Sequence, residues 1–232
     1  MGTLRRLVEN QEQKVTLGLT DNLAEHDALE EMLEDSKPLP LAHDRLSKLD
    51  YLLRAPWRYP PLPWGSRFGR RFEPSLFYGA LNKTSLFAEA AYYRLVFLEG
   101  MRQPFAGRVI SQFTVFEATY QTDAGMDLTR APFRKYETVL RDKSSYQPCQ
   151  ALGSVLRKKD IEAIVYLSAR STGGDLNVAL FSPSALRSRK HRNPRGGICE
   201  TRKEKVSFRF GGEIYEFPRK DFLVAGKVPV PA

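Results

Sequence analysis

Apolar positions recur at helical spacing early in this chain and at strand spacing later. Residues 1–36 read as helix: Asn22 and Glu25 have capping-box spacing, and Leu29, Met32 and Leu33 follow at helical intervals. Pro38 and Pro40 break the pattern. One apolar stripe beside an acidic surface predicts that residues 1–40 form an acidic helical N-terminal extension docked on the body 41–232, with dimer contact as its alternative role. A short helix is expected over about 44–54. Pro56, Pro60, Pro61 and Pro63, interleaved with Trp57, Tyr59 and Trp64, then predict an extended aromatic segment.

Residues 75–80 read as a strand, followed by a turn at Asn82-Lys83 and a helix capped by Thr84 or Ser85 and closed at Gly100. Leu86, Ala90, Tyr93 and Phe97 make one stripe of that helix; Ser85, Glu89, Tyr92 and Val96 make its neighbour. Residues 109–120 alternate, with Ile110, Phe116 and Ala118 on one face and Phe113 and Val115 on the other. Residues 147–159 read as helix, and 161–167 and 177–181 as strands joined through Thr172-Gly173-Gly174-Asp175. Residues 206–210 and 213–217 flank Gly211-Gly212, the strongest hairpin signal in the chain. Helices lead and strands follow, which predicts an α+β fold with mostly antiparallel pairing.

With 232 residues, 42% hydrophobic and 27% charged, the chain can bury one sizeable core. No apolar run approaches the roughly 18 residues of a membrane span, and no apolar core follows Arg5 and Arg6 as in a secretory signal. Cytoplasmic location is the expectation. The net charge of +9 is uneven: residues 1–47 carry five Lys/Arg against ten Asp/Glu, leaving +14 for the remainder. Residues 187–205 hold eight Lys/Arg and two Glu. Pro194, Gly196 and Gly197 predict a mobile solvated loop there; attraction to the acidic N-terminal segment or to an acidic partner is the alternative reading. Direct nucleic-acid binding is not expected, since no reader motif accompanies the charge.

His26, His43 and His191 are scattered, Cys149 and Cys199 lack metal spacing, and no carboxylates cluster, so no metal site is expected. A nucleophile elbow and a Walker sequence are also missing. What stands out is 63–100. Arg67, Arg70 and Arg71 form an anion-site candidate through guanidinium forks. Tyr78 is either a platform or a buried sheet residue. Glu89, on an otherwise apolar and aromatic helix face, needs either a salt-bridge partner or a task.

Three blocks of this chain resemble the RES-domain toxins of bacterial toxin–antitoxin modules: G-S-R-F-G-R-R-x-E-P-x-L-F-Y-G-A, L-F-A-E-A-A-Y-Y-R-L-V-F-L-E-G, and Y-L-S-A-R with G-G-D-L-N-V-A-L-F-S-P. The resemblance covers roughly residues 45–222. It implies an ADP-ribosyltransferase-like fold, NAD+ as substrate without a metal, and an Xre-type helix-turn-helix antitoxin as partner. It matches Arg67 to the family arginine, Glu89 to the glutamate, Tyr78 to an aromatic position and Ser168 to the serine, with Ser171 as the alternative. Arg71 competes with Arg67 for the phosphate or nicotinamide role. In these expected roles Glu89 stabilises positive charge on the ribose and orients the nucleophile, Arg67 clamps the anion, Tyr78 stacks on nicotinamide and Ser168 positions Glu89 or a ribose hydroxyl. The acceptor of ADP-ribose is left among a protein side chain, weakly favoured, water and phosphate, the last two making the chain an NAD+ glycohydrolase or phosphorylase. A non-catalytic basic nucleic-acid-binding or regulatory module is the alternative of another class.

Overall fold

The computed structural model describes residues 1–9, 19–38, 45–102 and 107–230. Pro40, His43 and the expected helix start at Asp44 lie outside the described residues. The strands are β1 (Gly2–Glu9), β2 (Phe77–Ala80), β3 (Val109–Tyr120), β4 (Gly125–Asp127), β5 (Ala163–Leu167), β6 (Leu176–Leu180), β7 (Arg192–Thr201), β8 (Lys205–Phe210) and β9 (Glu213–Pro218). The helices are α1 (Leu23–Asp35), α2 (Tyr51–Arg58), α3 (Lys83–Glu99), α4 (Glu137–Leu140) and α5 (Gln147–Lys158). The strands join in one sheet of order β4-β5-β6-β2-β1-β3-β7-β8-β9. Only β4 and β5 run parallel, so the fold is α+β with mostly antiparallel pairing. Among the described residues no helix is long and apolar enough to cross a membrane.

The N-terminus corrects the sequence reading. Helix is present at α1, but Gly2–Glu9 is a strand in the middle of the sheet, paired with β3 from Gly2 opposite Tyr120 to Glu9 opposite Phe113. The cause is alternation over a short span. Leu4, wholly buried, joins the cluster of Trp57, Phe77 and Phe116, while Leu7 packs toward Phe113 on the opposite face. Its two arginines are satisfied within the sheet: Arg5 pairs with Glu117 at 2.9 Å, and Arg6 lies over the Phe77 ring at 4.8 Å. Residues 2–9 are therefore part of the body rather than of an appended helical unit.

The basic segment is a second correction. Residues 192–201 form β7, hydrogen-bonded to β3. Its first half is solvent-exposed as expected, but the glycines do not break the strand. A Cβ on Gly197 would sit 2.4 Å from the Phe113 ring and 2.8 Å from the Arg209 carbonyl. The glycine is where β3, β7 and β8 approach too closely for a side chain. By contrast, Gly211 and Gly212, at φ +60° and +83°, supply the left-handed turn between β8 and β9 that the sequence predicts.

The helix α3 crosses β1, β2, β7, β8 and β9. Its N-cap is Asn82, not Thr84 or Ser85: the Asn82 side chain accepts from the Ser85 N–H, and Gly100 is the C-cap. The buried face is also rotated from the predicted stripe. Ser85, Leu86, Phe87, Ala88, Ala91, Tyr92 and Leu95 are buried, so Leu86 of that stripe is buried, whereas its Tyr93 and Phe97 are exposed. Phe87 decides the rotation, since it stacks on Phe208 at 5.0 Å and packs edge-on to Phe113. Burying such a ring contributes about 1.5–3 kcal/mol. With that face down, Glu89 points toward the β5–β6 half of the sheet.

Candidate active site around Glu89

Glu89 is half-buried, and two donors fix one of its carboxylate oxygens. The Ser168 hydroxyl donates to Oε1 at 2.7 Å and the Asn177 side-chain amide donates to the same atom at 3.0 Å. No hydrogen bond holds Oε2 among the described residues. Hydrogen bonds to a charged group each contribute about 1.5–3 kcal/mol, enough to lock the carboxylate rotamer.

The direction of each bond follows from the local structure. Ser168 lies just past β5, where its Oγ accepts from the Arg170 and Ser171 backbone N–H groups at 3.1 and 3.2 Å. With those acceptor sites used, its one proton goes to Glu89. Asn177 sits on β6 opposite Tyr166 of β5 and Ala80 of β2. Its carbonyl oxygen accepts from the wholly buried Ser85 hydroxyl, which turns the amide nitrogen toward Glu89. Ser85 and Glu89 are i and i+4 on α3, so one turn of helix supplies both ends of this relay.

The 168–175 loop is itself clamped. The Ser168 N–H donates to the Asp175 carbonyl at 2.8 Å, the Asp175 carboxylate accepts from the Asn82 amide at 2.8 Å, and its other oxygen accepts from Ser171. Arg141 donates to the carbonyls of Ser168, Ser171 and Gly173, each at 3.1 Å. Ser168 is thus the serine brought to Glu89, and Ser171 braces the loop through Asp175.

Arg67 is 6% exposed. It donates to the carbonyls of Leu140 and Asp142 at 3.1 and 3.0 Å and stacks over the Tyr146 ring at 4.6 Å. Burial opposes its charge, but Tyr146 and Glu89 nearby hold the guanidinium above its ordinary pKa. Both bonds come from Nη1, and Nη2 is buried without a partner.

Arg71 and Tyr78 lie outside the hydrogen bonds that hold Glu89. Arg71 is exposed, its guanidinium 5.5 Å from the Phe72 ring centroid and outside this network, because the turn closing at Gly69 sends the following residues into solvent. The Tyr78 hydroxyl is occupied by the same turn. It accepts from the Phe68 N–H at 3.0 Å and shares a hydrogen bond with Ser66 at 2.9 Å, while burial pushes its phenol up to about 12. Tyr78 on β2 therefore fixes the backbone next to Arg67 through its hydroxyl.

Asn177, Ser85, Tyr146 and Arg170 are site residues that the sequence reading passed over. Asn177 stands inside the G-G-D-L-N-V block, and the i, i+4 pairing of Ser85 with Glu89 is visible on the helix. A small recess lined in part by Leu140, Arg141, Tyr166 and Leu167 adjoins the loop. Glu89, Ser168 and Asn177 do not line it. An anchored carboxylate with one open oxygen, beside a buried guanidinium, suits stabilisation of developing positive charge on an anionic substrate.

A family model described as "RES domain" matches residues 42–207. A search of curated proteins found no match.

Proposed function

Since the chain belongs to the RES-domain family, a toxin-like family linked to NAD+-using enzymes, we propose that it breaks the nicotinamide–ribose bond of NAD+ and passes ADP-ribose to an acceptor, with a protein side chain favoured over water or phosphate. The observation that carries this reading is the state of Glu89, whose Oε1 is held by Ser168 and Asn177 while Oε2 is open.

In this reading the C–N bond breaks with its electron pair going to the ring nitrogen, so nicotinamide leaves neutral and positive charge develops on the ribose. Glu89 faces that charge through Oε2 and takes the proton of the incoming nucleophile as the new bond forms at the same carbon. Ser168 and Asn177 keep the carboxylate from rotating away, and removing one such preorganised contact costs roughly 10²–10³ in rate. Arg67, charged and with one nitrogen unpartnered, fits the anionic part of the substrate. An Xre-type antitoxin remains the proposed partner.

Mass spectrometry of the products formed from NAD+, with and without cell proteins, tests the proposal. Free nicotinamide together with ADP-ribosylated protein supports transfer to a side chain. Nicotinamide with only small ADP-ribose products assigns water or phosphate as acceptor, and intact NAD+ in both arms sinks the reading.

A further inference from the structure

Arg170 is 2% exposed and its guanidinium has no carboxylate partner among the described residues. Its one side-chain hydrogen bond is a long contact of 3.5 Å from Nη2 to the Tyr146 hydroxyl, and Nε and Nη1 are buried without partners. The guanidinium carbon lies 3.5 Å from the centroid of the Tyr92 ring. Arg67 also meets Tyr146, stacked on its ring face: its Nη1 donates to the Leu140 and Asp142 carbonyls, and its Nη2 is orphaned. Two buried cations therefore meet at one tyrosine, and neither forms an ion pair among the described residues; Glu89 acts on Arg67, and Asp142 on both, only at longer range. A third cation feels Arg170: burial and then the Arg170 charge pull the Lys143 ammonium below its ordinary pKa.

Burying an unpaired guanidinium is among the costliest arrangements in a protein interior, and stacking on an aromatic ring returns only part of the loss. Uncompensated groups of this kind concentrate where a ligand supplies the missing charge. Guanidinium forks match phosphoryl oxygens, and two buried cations with orphaned nitrogens and no direct ion pair match a group with two negative charges. We propose that Arg170 and Arg67 together form a diphosphate subsite, with the Tyr146 phenol oxygen standing where a phosphoryl oxygen binds. Arg170 then stands beside Arg67 in the phosphate role for which the sequence offered Arg71 as the competitor of Arg67. The inference rests on the NAD+ reading and adds to it the residue that completes recognition of the diphosphate. It also ties recognition to the chemical step, because the Arg170 N–H donates to the same Ser168 oxygen that positions Glu89.

Calorimetric titration of the full chain with ADP-ribose, AMP and inorganic pyrophosphate tests this, using wild type, Arg170→Met and Arg170→Lys, alongside the melting temperature of each ligand-free protein. The wild type should prefer ADP-ribose over AMP. Arg170→Met should weaken ADP-ribose binding about 10- to 100-fold, as expected for lost bonds to a charged group, and should erase the preference over AMP. Arg170→Lys should fall between the two. Because an unpaired buried charge is removed, ligand-free Arg170→Met should melt at or above the wild-type temperature. Unchanged ADP-ribose affinity in Arg170→Met would overturn the subsite and leave the NAD+ reading standing. A lowered melting temperature with equal loss for all ligands would make Arg170 structural and also overturn it. Wild type that ignores ADP-ribose but binds pyrophosphate through Arg170 would sink the NAD+ reading and keep the subsite. Binding of neither ligand would sink both. Should Arg170→Met fail to fold, wild-type affinity in Arg170→Lys overturns the subsite.

Discussion

Replacing Asn177 with aspartate changes one atom of the Glu89 network and makes its electrostatics measurable. The amide nitrogen 3.0 Å from Glu89 Oε1 becomes an oxygen, while Ser85 can still donate to the other oxygen as it does now. The lost bond to a charged acceptor removes about 1.5–3 kcal/mol. Two ionised carboxylates at this separation would repel by about 5 kcal/mol at an effective dielectric constant of about 20. The pair avoids that repulsion by retaining one proton, which at about 1.4 kcal/mol per pH unit costs about 4 kcal/mol at pH 7 against a carboxylate that titrates near 4 when unfolded. The sign follows from proton counting. Between about pH 4 and 7 the folded variant holds one proton more than its unfolded chain, so its stability falls as pH rises. Urea unfolding at pH 5 and pH 7, followed through the buried Trp57, should show the variant losing about 2–3 kcal/mol more at pH 7 than at pH 5, relative to wild type. Turnover of NAD+ at pH 7 should fall by roughly two orders of magnitude, because the proton sits on the carboxylates that must face the ribose. Equal destabilisation at the two pH values would refute the contact between Asn177 and an ionised Glu89.

Tyr78→Phe strips the hydroxyl that accepts from the Phe68 N–H. It should destabilise the chain by about 1–3 kcal/mol, seen as a lower urea midpoint, whereas a ring used only for stacking would lose nothing. Gly197→Ala places a methyl against the Phe113 ring and the Arg209 carbonyl and should cost about 1–3 kcal/mol by overpacking; a solvated loop would tolerate it. Arg71→Ala, at an exposed position, should leave stability within about 0.5 kcal/mol and NAD+ turnover essentially as in wild type, so a large drop in turnover would return Arg71 to the site.

What could be read from the sequence depended on whether the signal was local. The alternation of residues 109–120 matches β3, with Phe113 and Val115 facing one core and Phe116 and Ala118 the other. Gly211-Gly212 marked the β8–β9 turn for the same reason, since a left-handed conformation selects glycine wherever the rest of the chain goes. The strand β1 was missed because a few alternating residues are identifiable as a strand only from partners more than a hundred positions away. Glu89 stood out as a carboxylate on an apolar helix, and Ser168 entered through family resemblance. Asn177 was silent, because a polar residue in a strand gains meaning only when the β5–β6 and β2–β6 registers set it beneath α3. Arg67 and Arg71 look alike in sequence; the Tyr78 hydroxyl, by tying down the turn, buries the first, and the second is left in solvent.

Release of nicotinamide from NAD+ by wild type and by Glu89→Gln, followed by mass spectrometry, tests the central claim most directly. Glutamine keeps the oxygen that accepts from Ser168 and Asn177 and changes only the open end of the side chain, so the fold should persist with an unchanged melting temperature. The predicted result is nicotinamide release by wild type and a loss of about 100-fold or more in the variant. Release at the wild-type rate by folded Glu89→Gln, or none by wild type, would contradict the assignment of Glu89 as the group that drives cleavage.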